Sequence, residues 1–557
     1  MSSSTSPSSV ARAALGRMVG LLRGPWAVRR QQADVGPRGP SAAVAFRPWL
    51  LAGLGMLGIE VGYKAAAKPD RLERTNFLNH SFCQPEPVQR AMVYEKLRVQ
   101  RFSDPDVLFV GDSSCNHGVI PHVAMAEIPG FKVVNLGVAT NVGYGGHLAL
   151  AEYMLRKSPG IRYVVLYNCM VGGQPRKMTV EGEKGHELMA DDIHNEFVSR
   201  PRAVLQIPTL AARKDVFRYV AYRNGALQDR DAPLTSNVGY QMLTATNRDC
   251  HGWCRETDFP GDFPAGIFYK QSPEKWTASD VGAVETHFDW GSMRTRTYIE
   301  TTYQQFADLA RRYDAKLVVM NNPVPASLKT RFTDVFRLDE IVEEVRRFGT
   351  AHPEVHVPNE LAYWPDDKFS TFSHVSTLYS HESARRAGLI LKDVIAKDGA
   401  TPRPRPADFV TREAPEKADV DFARPFCAFG WGPVENHGQR YVSAHDRAFL
   451  YAVVKPGREY TVRLHFNTTT VTALNRLKVR VNDAELAEVG RTWGGPHTID
   501  YRLPADAASR HLGWFRMEVD IRPAAGDTAD AGPAGRRLAL GRVEVVPVET
   551  ATPAGGQ

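Results

Sequence analysis

The chain has 557 residues, 43% of them hydrophobic and 24% charged, with a formal net charge of +7. That composition is ordinary for globular protein, and the length exceeds one core, so two or three domains are expected. The positive charge is local: residues 1–48 hold seven Arg and one acid, Asp34. The rest is close to neutral and carries no nucleic-acid-binding fingerprint, which argues against a nucleic-acid partner.

Met1 to Ser9 is Ser-rich and predicted to be disordered. An Arg-studded stretch to Arg47 follows, then the uncharged run Pro48 to Ile59. Twelve residues fall short of a spanning helix, which needs about 20. Snorkelling by Arg47 and a Glu60 at the far interface extend the run to Ala42 through Tyr63. The Arg excess on the amino side holds that end in the cytoplasm and sends the body across. Residues 1–70 therefore read as a cytoplasmic basic segment and signal anchor, with a periplasmic or cell-surface body. A cleaved signal is the alternative, since Ala65-Ala-Ala67 follows the apolar run, and a soluble core helix is the third reading.

Asp106-Val-Leu-Phe-Val-Gly-Asp-Ser-Ser114 is the most informative stretch. Val107 to Val110 predicts a buried strand that stops at Gly111 and throws Ser113 onto the following turn. Ligands of open α/β sheets bind in loops at the carboxyl ends of strands, where a serine needs only a base and an oxyanion hole to become a nucleophile. Further strands are predicted at Lys132 to Val138, Tyr163 to Asn168 and Lys316 to Met320, the last preceding Asn321-Asn-Pro. Helices are predicted at Met293 to Tyr313, Thr333 to Phe348 and Glu382 to Ile395. Strand and helix alternate as in a doubly wound sheet, with an insertion at about 170–292. Its basic-aromatic stretch, Arg213 to Arg223, and its Trp- and Gly-containing loop suit sugar stacking or a small satellite core. Six Cys are too few for a disulfide scaffold. Cys250 and Cys254 form one pair that could bridge after export, and His251 alone does not complete a zinc site. No metal or cofactor is expected.

Phe369-Ser-Thr-Phe-Ser-His374 precedes the last helix. Taken with the Gly-Asp-Ser turn, Asn135-Leu-Gly137 and Asn168, this order resembles the SGNH (GDSL-type) hydrolase superfamily over residues 100–398. The resemblance implies a three-layer α/β/α domain over 71–398. It implies Ser113 as nucleophile, with Gly137 and Asn168 forming the oxyanion hole beside the Ser113 amide, and His374 as general base. The family's Gly-x-Asn-Asp is here Leu166-Tyr-Asn-Cys169, and its Asp three residues before the His is Thr371. His374 is therefore left to be oriented by Asp366 or Asp367, by a main-chain carbonyl, or by nothing. His381 fits the base less well, since it follows the N-cap candidate Ser380 in a helix's first turn.

Thr401-Pro-Arg-Pro-Arg-Pro406 marks a stiff Pro-rich linker, placed at 399–424. Beyond it only strands are predicted: Ala448 to Val454, Glu459 to Phe466, Leu477 to Val481, Thr498 to Leu503, Phe515 to Arg522 and Leu538 to Val546. Alternation such as Val-Arg-Leu-His-Phe puts apolar residues on one face, a β-sandwich signature over 425–549. It resembles the jelly-roll carbohydrate-binding modules of envelope enzymes, in which Trp431 would stack on a sugar or close the core. The combination resembles the O-acetyltransferases of bacterial alginate and cellulose export. It implies a membrane-anchored acyl-ester enzyme, a transferase or esterase, acting on an envelope or exported polysaccharide. The acyl donor would be supplied, for instance, by a membrane acyltransferase. A non-catalytic polysaccharide-binding or assembly protein that lost the triad acid is the alternative, and a cytosolic lipase or thioesterase the third reading.

Overall fold

The computed structural model describes Lys96, Leu97, Gln100 and residues 103–138, 143–168, 293–330, 338–358, 361–406, 409, 414–421, 428–429, 434–435, 439–443, 447–466, 477–492, 497–521 and 537–548. The segment before residue 70, the insertion at 170–292 and Trp431 lie outside them. Among the described residues no helix is long and apolar enough to cross a membrane.

In chain order the first part runs β1 (Val107–Gly111), α1 (Ser113–Gly118), α2 (Pro121–Glu127), β2 (Val133–Asn135), α3 (Gly143–Lys157), β3 (Tyr163–Asn168), α4 (Met293–Arg312) and β4 (Lys316–Asn321). It continues with β5 (Val324–Pro325), α5 (Leu338–Ala351), β6 (Val355–His356), β7 (Tyr363–Trp364), β8 (Phe369–Thr371), β9 (His374–Val375) and α6 (Ser380–Lys397). Five strands form a parallel sheet in the order β2-β1-β3-β4-β6. Period-two alternation puts side chains of each strand on both faces, and both are apolar. Leu108, Val110, Leu166 and Val319 pack with α3, α4 and α5, whereas Val107, Phe109, Val165 and Met320 pack with α2 and α6. The order reverses between β1 and β3, so the crevice at their carboxyl ends is the topological switch point where open α/β sheets place ligands. Ser113 and Asn168 sit there.

The C-terminal part is β-rich. Its strands are β10 (Ala418–Asp421), β11 (Ala428–Phe429), β12 (Val434–Glu435), β13 (Gln439–Ser443), β14 (Arg447–Val453), β15 (Tyr460–Phe466), β16 (Leu477–Val481), β17 (Ala484–Glu485), β18 (Ala487–Thr492), β19 (His497–Leu503), β20 (Trp514–Ile521) and β21 (Arg537–Pro547). They form two antiparallel sheets, β12-β13-β21-β15-β19-β18 with β10 beside β21, and β11-β14-β20-β16-β17. Inward residues of both, such as Val462, Leu464 and Ile499 against Leu450, Met517 and Val519, make one core. Asn482 and Asp483, both at positive φ, turn β16 into β17.

Two findings revise the linker. Ala418–Asp421 pairs along β21, so the sheet begins inside the segment expected to be spacer. The stretch 401–406 is also docked: Asp106, fully buried at the amino end of β1, ion-pairs with Arg403 and Arg405, and Arg162 donates to the Thr401 carbonyl. The two parts pack directly as well, Ile120 at the start of α2, Val123 of α2 and Ala384 of α6 against Phe449, Tyr451, Val453 and Trp514.

Candidate active site

The last residue of β1, Gly111, is glycine because a β-carbon there would lie 1.8 Å from the Tyr167 carbonyl oxygen. Asp112 then caps α1, its Oδ1 accepting the Ser114 amide at 2.9 Å. Ser113 is thus the first helical residue, and intrahelical bonding leaves its amide unused. Ser113 as a whole residue is 9% exposed. The Ser113 hydroxyl lies 2.7 Å from His374 Nε2, a contact made across 261 residues of chain.

The His374 loop is fixed from below. Ser114 Oγ donates to the Ser373 carbonyl at 3.1 Å, and Asn322 Nδ2 donates to the same oxygen at 3.0 Å. Tyr167 spends its proton on Asn322 Oδ1, so the contact between Tyr167 and Ser383 is donated by the serine. α1, β3, the end of β4 and α6 therefore all help to hold one turn. His117, one helical turn beyond Ser113, presents its ring edge-on to His374, with centroids 6.2 Å apart. Burial lowers the His374 pKa to about 4, keeping the ring neutral at physiological pH although part of the residue meets solvent.

The expected acids are not beside the base. Asp366 Oδ1 accepts the Ser327 amide at 3.1 Å, and Asp367 is exposed on the same short turn; neither touches His374. The reason is register. β8 and β9 form a hairpin in which Thr371 is the partner of His374, and the acids stay at the far end of β8. His374 Nδ1 faces Thr371 Oγ1 at 2.8 Å and Ser373 Oγ at 2.9 Å.

The oxyanion assignment needs a second correction. The Gly137 amide donates to Asn135 Oδ1 at 2.7 Å, an Asx-type turn that commits it to the chain's own loop. Asn135 Nδ2 donates onward to the Cys115 and Val119 carbonyls. Gly137 is glycine because a β-carbon would come within 2.5 Å of the Asn116 nitrogen. Buried Lys96 donates to the Gly137 carbonyl and to Asn116 Oδ1, bracing this turn against α1. Asn168 stays a candidate donor. Buried at the end of β3, it has a carboxamide nitrogen with no hydrogen-bond partner among the described residues. Cys115 is no competing nucleophile, since burial pushes its thiol pKa up. Among the described residues no cluster of His, Cys, Asp or Glu is arranged to hold a metal.

In the sequence Thr371 stands out only as the residue in the acid's place, and Ser373, Asn135 and Asn322 carry no role of their own. Asn-x-Gly at a strand end is a turn signal that was there to be read. The other roles depend on pairings between distant segments.

No family model matches the chain, and no curated protein matches it. Among solved structures it is similar to a Podospora anserina GH26-CBM35 β-(1,4)-mannanase, at 13% identity over 26% of this chain and 29% of that one, with a TM-score of 0.16. It is also similar to a family GH115 4-O-methyl-α-glucuronidase with specificity for decorated arabinogalactans, at 8% identity over 80% and 55%, with a TM-score of 0.13. The chain thus spans about a third and about half of these proteins. Likeness at that level carries no argument about the site.

Proposed function

We propose that this chain is a membrane-anchored, extracytoplasmic SGNH-like acyl-ester enzyme. Its jelly-roll-like C-terminal part would serve an envelope or exported polysaccharide. The observation that carries the chemistry is the 2.7 Å contact between Ser113 Oγ and His374 Nε2 at the β1/β3 switch point. Polymer and anchoring rest on the resemblance and the N-terminal sequence. Ser113 Oγ attacks the acyl carbonyl while its proton passes to His374 Nε2, and the carbonyl electrons move onto oxygen, facing Asn168 Nδ2 and the Ser113 amide. The oxyanion collapses, and the leaving alcohol takes the proton from His374. An acceptor hydroxyl then gives its proton to His374 and attacks the acyl-serine; as the bond to Ser113 Oγ breaks, His374 returns that proton to the serine and both groups are restored. A sugar acceptor makes the enzyme an O-acetyltransferase; water makes it an esterase.

Ser113→Ala should fold normally and lose turnover of p-nitrophenyl acetate and labelling by a fluorophosphonate, since removing such a nucleophile costs about 10⁶-fold in rate. Wild-type turnover in the variant would refute the assignment. Thr371 at the acid's position favours a second reading, a polysaccharide-binding or assembly protein. It requires that the wild-type chain takes no label at Ser113.

A further inference from the structure

We propose that Thr371 and Ser373 are a hydroxyl pair that stands in for the triad acid and positions His374 for Ser113. The inference rests on the acyl-ester reading. Both hydroxyls lie within hydrogen-bond distance of Nδ1, at 2.8 and 2.9 Å. They are not arranged by chance. Thr371 is the hairpin partner of His374, and its oxygen also accepts the Ser373 amide at 3.4 Å and lies 3.3 Å from Ser373 Oγ. The Ser373 carbonyl is pinned in turn by Ser114 and Asn322. The cradle is therefore built from α1, the end of β4 and the β8–β9 hairpin, and it ties the base to the helix that carries the nucleophile.

The chemistry of a hydroxyl differs from that of a carboxylate in two ways. A carboxylate only accepts, so it forces the Nδ1–H tautomer and leaves Nε2 free to take the serine proton. A hydroxyl accepts from Nδ1–H or donates to a bare Nδ1, so it fixes the plane of the ring more firmly than its tautomer. A hydroxyl also brings no charge to stabilise the imidazolium formed during attack. The dyad should accordingly be a slow base that stays neutral in acid, and the depressed His374 pKa is consistent with that. In this arrangement Thr371 and Ser373 are positioning residues.

The test follows p-nitrophenyl acetate turnover against pH in the full chain. Thr371→Val combined with Ser373→Ala should lower kcat by about 10- to 100-fold with KM little changed. Thr371→Ser, which keeps the hydroxyl, should stay near wild type. Thr371→Asp should move the acid limb of kcat/KM upward by about 1–2 pH units, as an opposite charge beside an imidazole does. That shift requires the side chain at position 371 to face His374 Nδ1, and the kcat loss at little-changed KM in the double variant is what a purely structural role would not produce. An unmoved acid limb in Thr371→Asp, or a double variant that equals wild type, overturns the inference. If the double variant fails to fold, the Thr371→Asp profile decides alone. Loss of turnover in Ser113→Ala alongside an indifferent double variant refutes the hydroxyl pair only. Indifference of Ser113→Ala refutes the enzyme reading itself.

Discussion

Asn168 carries the sharpest consequence at the level of single residues. A buried donor left without a partner costs about 1–3 kcal/mol, and such groups persist where something else uses them. Its main chain is held, the carbonyl accepting the Asn322 amide at 2.8 Å, so the side chain springs from a fixed point at the carboxyl end of β3. Asn168→Ala should therefore lower kcat by about 10²- to 10³-fold, the usual loss for one oxyanion donor, without lowering the melting temperature. Unchanged turnover would remove Asn168 from the oxyanion hole. The meeting of Ser113 with His374 was legible in the sequence because Ser113 follows a buried strand at a Gly-Asp-Ser turn and His374 precedes the last helix. Gly137 was misread because what its amide does is decided two residues upstream, by Asn135. The missing acid was misread because distance along the chain says nothing about hairpin register, and the hairpin pairs Thr371, not Asp366 or Asp367, with the base.

Elements follow a similar division. Strands with sustained alternation, such as β15 with its strict buried and half-buried rhythm, are visible in the sequence. Short strands such as β10 become strands only through a partner. β10 has four residues, Ala-Asp-Val-Asp, and is held by pairing with β21 and by the Arg542–Asp419 ion pair. A boundary drawn from composition at residue 425 cuts it away. A fragment of residues 414–549 should consequently melt about 5–15 °C above one of residues 425–549, from a few hydrogen bonds at about 1 kcal/mol each in a small domain. Circular dichroism melts of the two fragments decide this, and coincident curves would show that β10 adds nothing. Both should bind a hydrophobic dye, because excision uncovers Phe449, Tyr451 and Trp514.

At the scale of the whole molecule the two parts meet through histidines kept neutral. His122 of α2 is buried and its pKa is lowered to about 3, by burial first and then by His511. His381 of α6 falls to about 4, through burial and the facing Arg516, against the opposing pull of Asp483. His511, preceding β20, falls to about 4 through burial and Arg510, with Arg385 and His511's acid neighbours Glu127 and Asp483 also facing it. Arg516 closes the seam, donating to the Leu378 carbonyl and to Asp483 and covering the Phe449 ring. In the unfolded chain all three histidines protonate near pH 6.5; in the folded chain they resist until about pH 3–4. Below pH 6.5 the unfolded state thus binds more protons, and stability falls with pH by up to about 4 kcal/mol per unit near pH 5, an upper bound for three groups. The melting temperature should be flat from pH 8 to 7 and drop steeply between pH 6.5 and 4. His381→Asn should flatten that drop, as should removal of the α/β part, since the 414–549 fragment retains only His511 of the three. A melting temperature that holds down to pH 4 would show that the seam does not depend on neutral histidines.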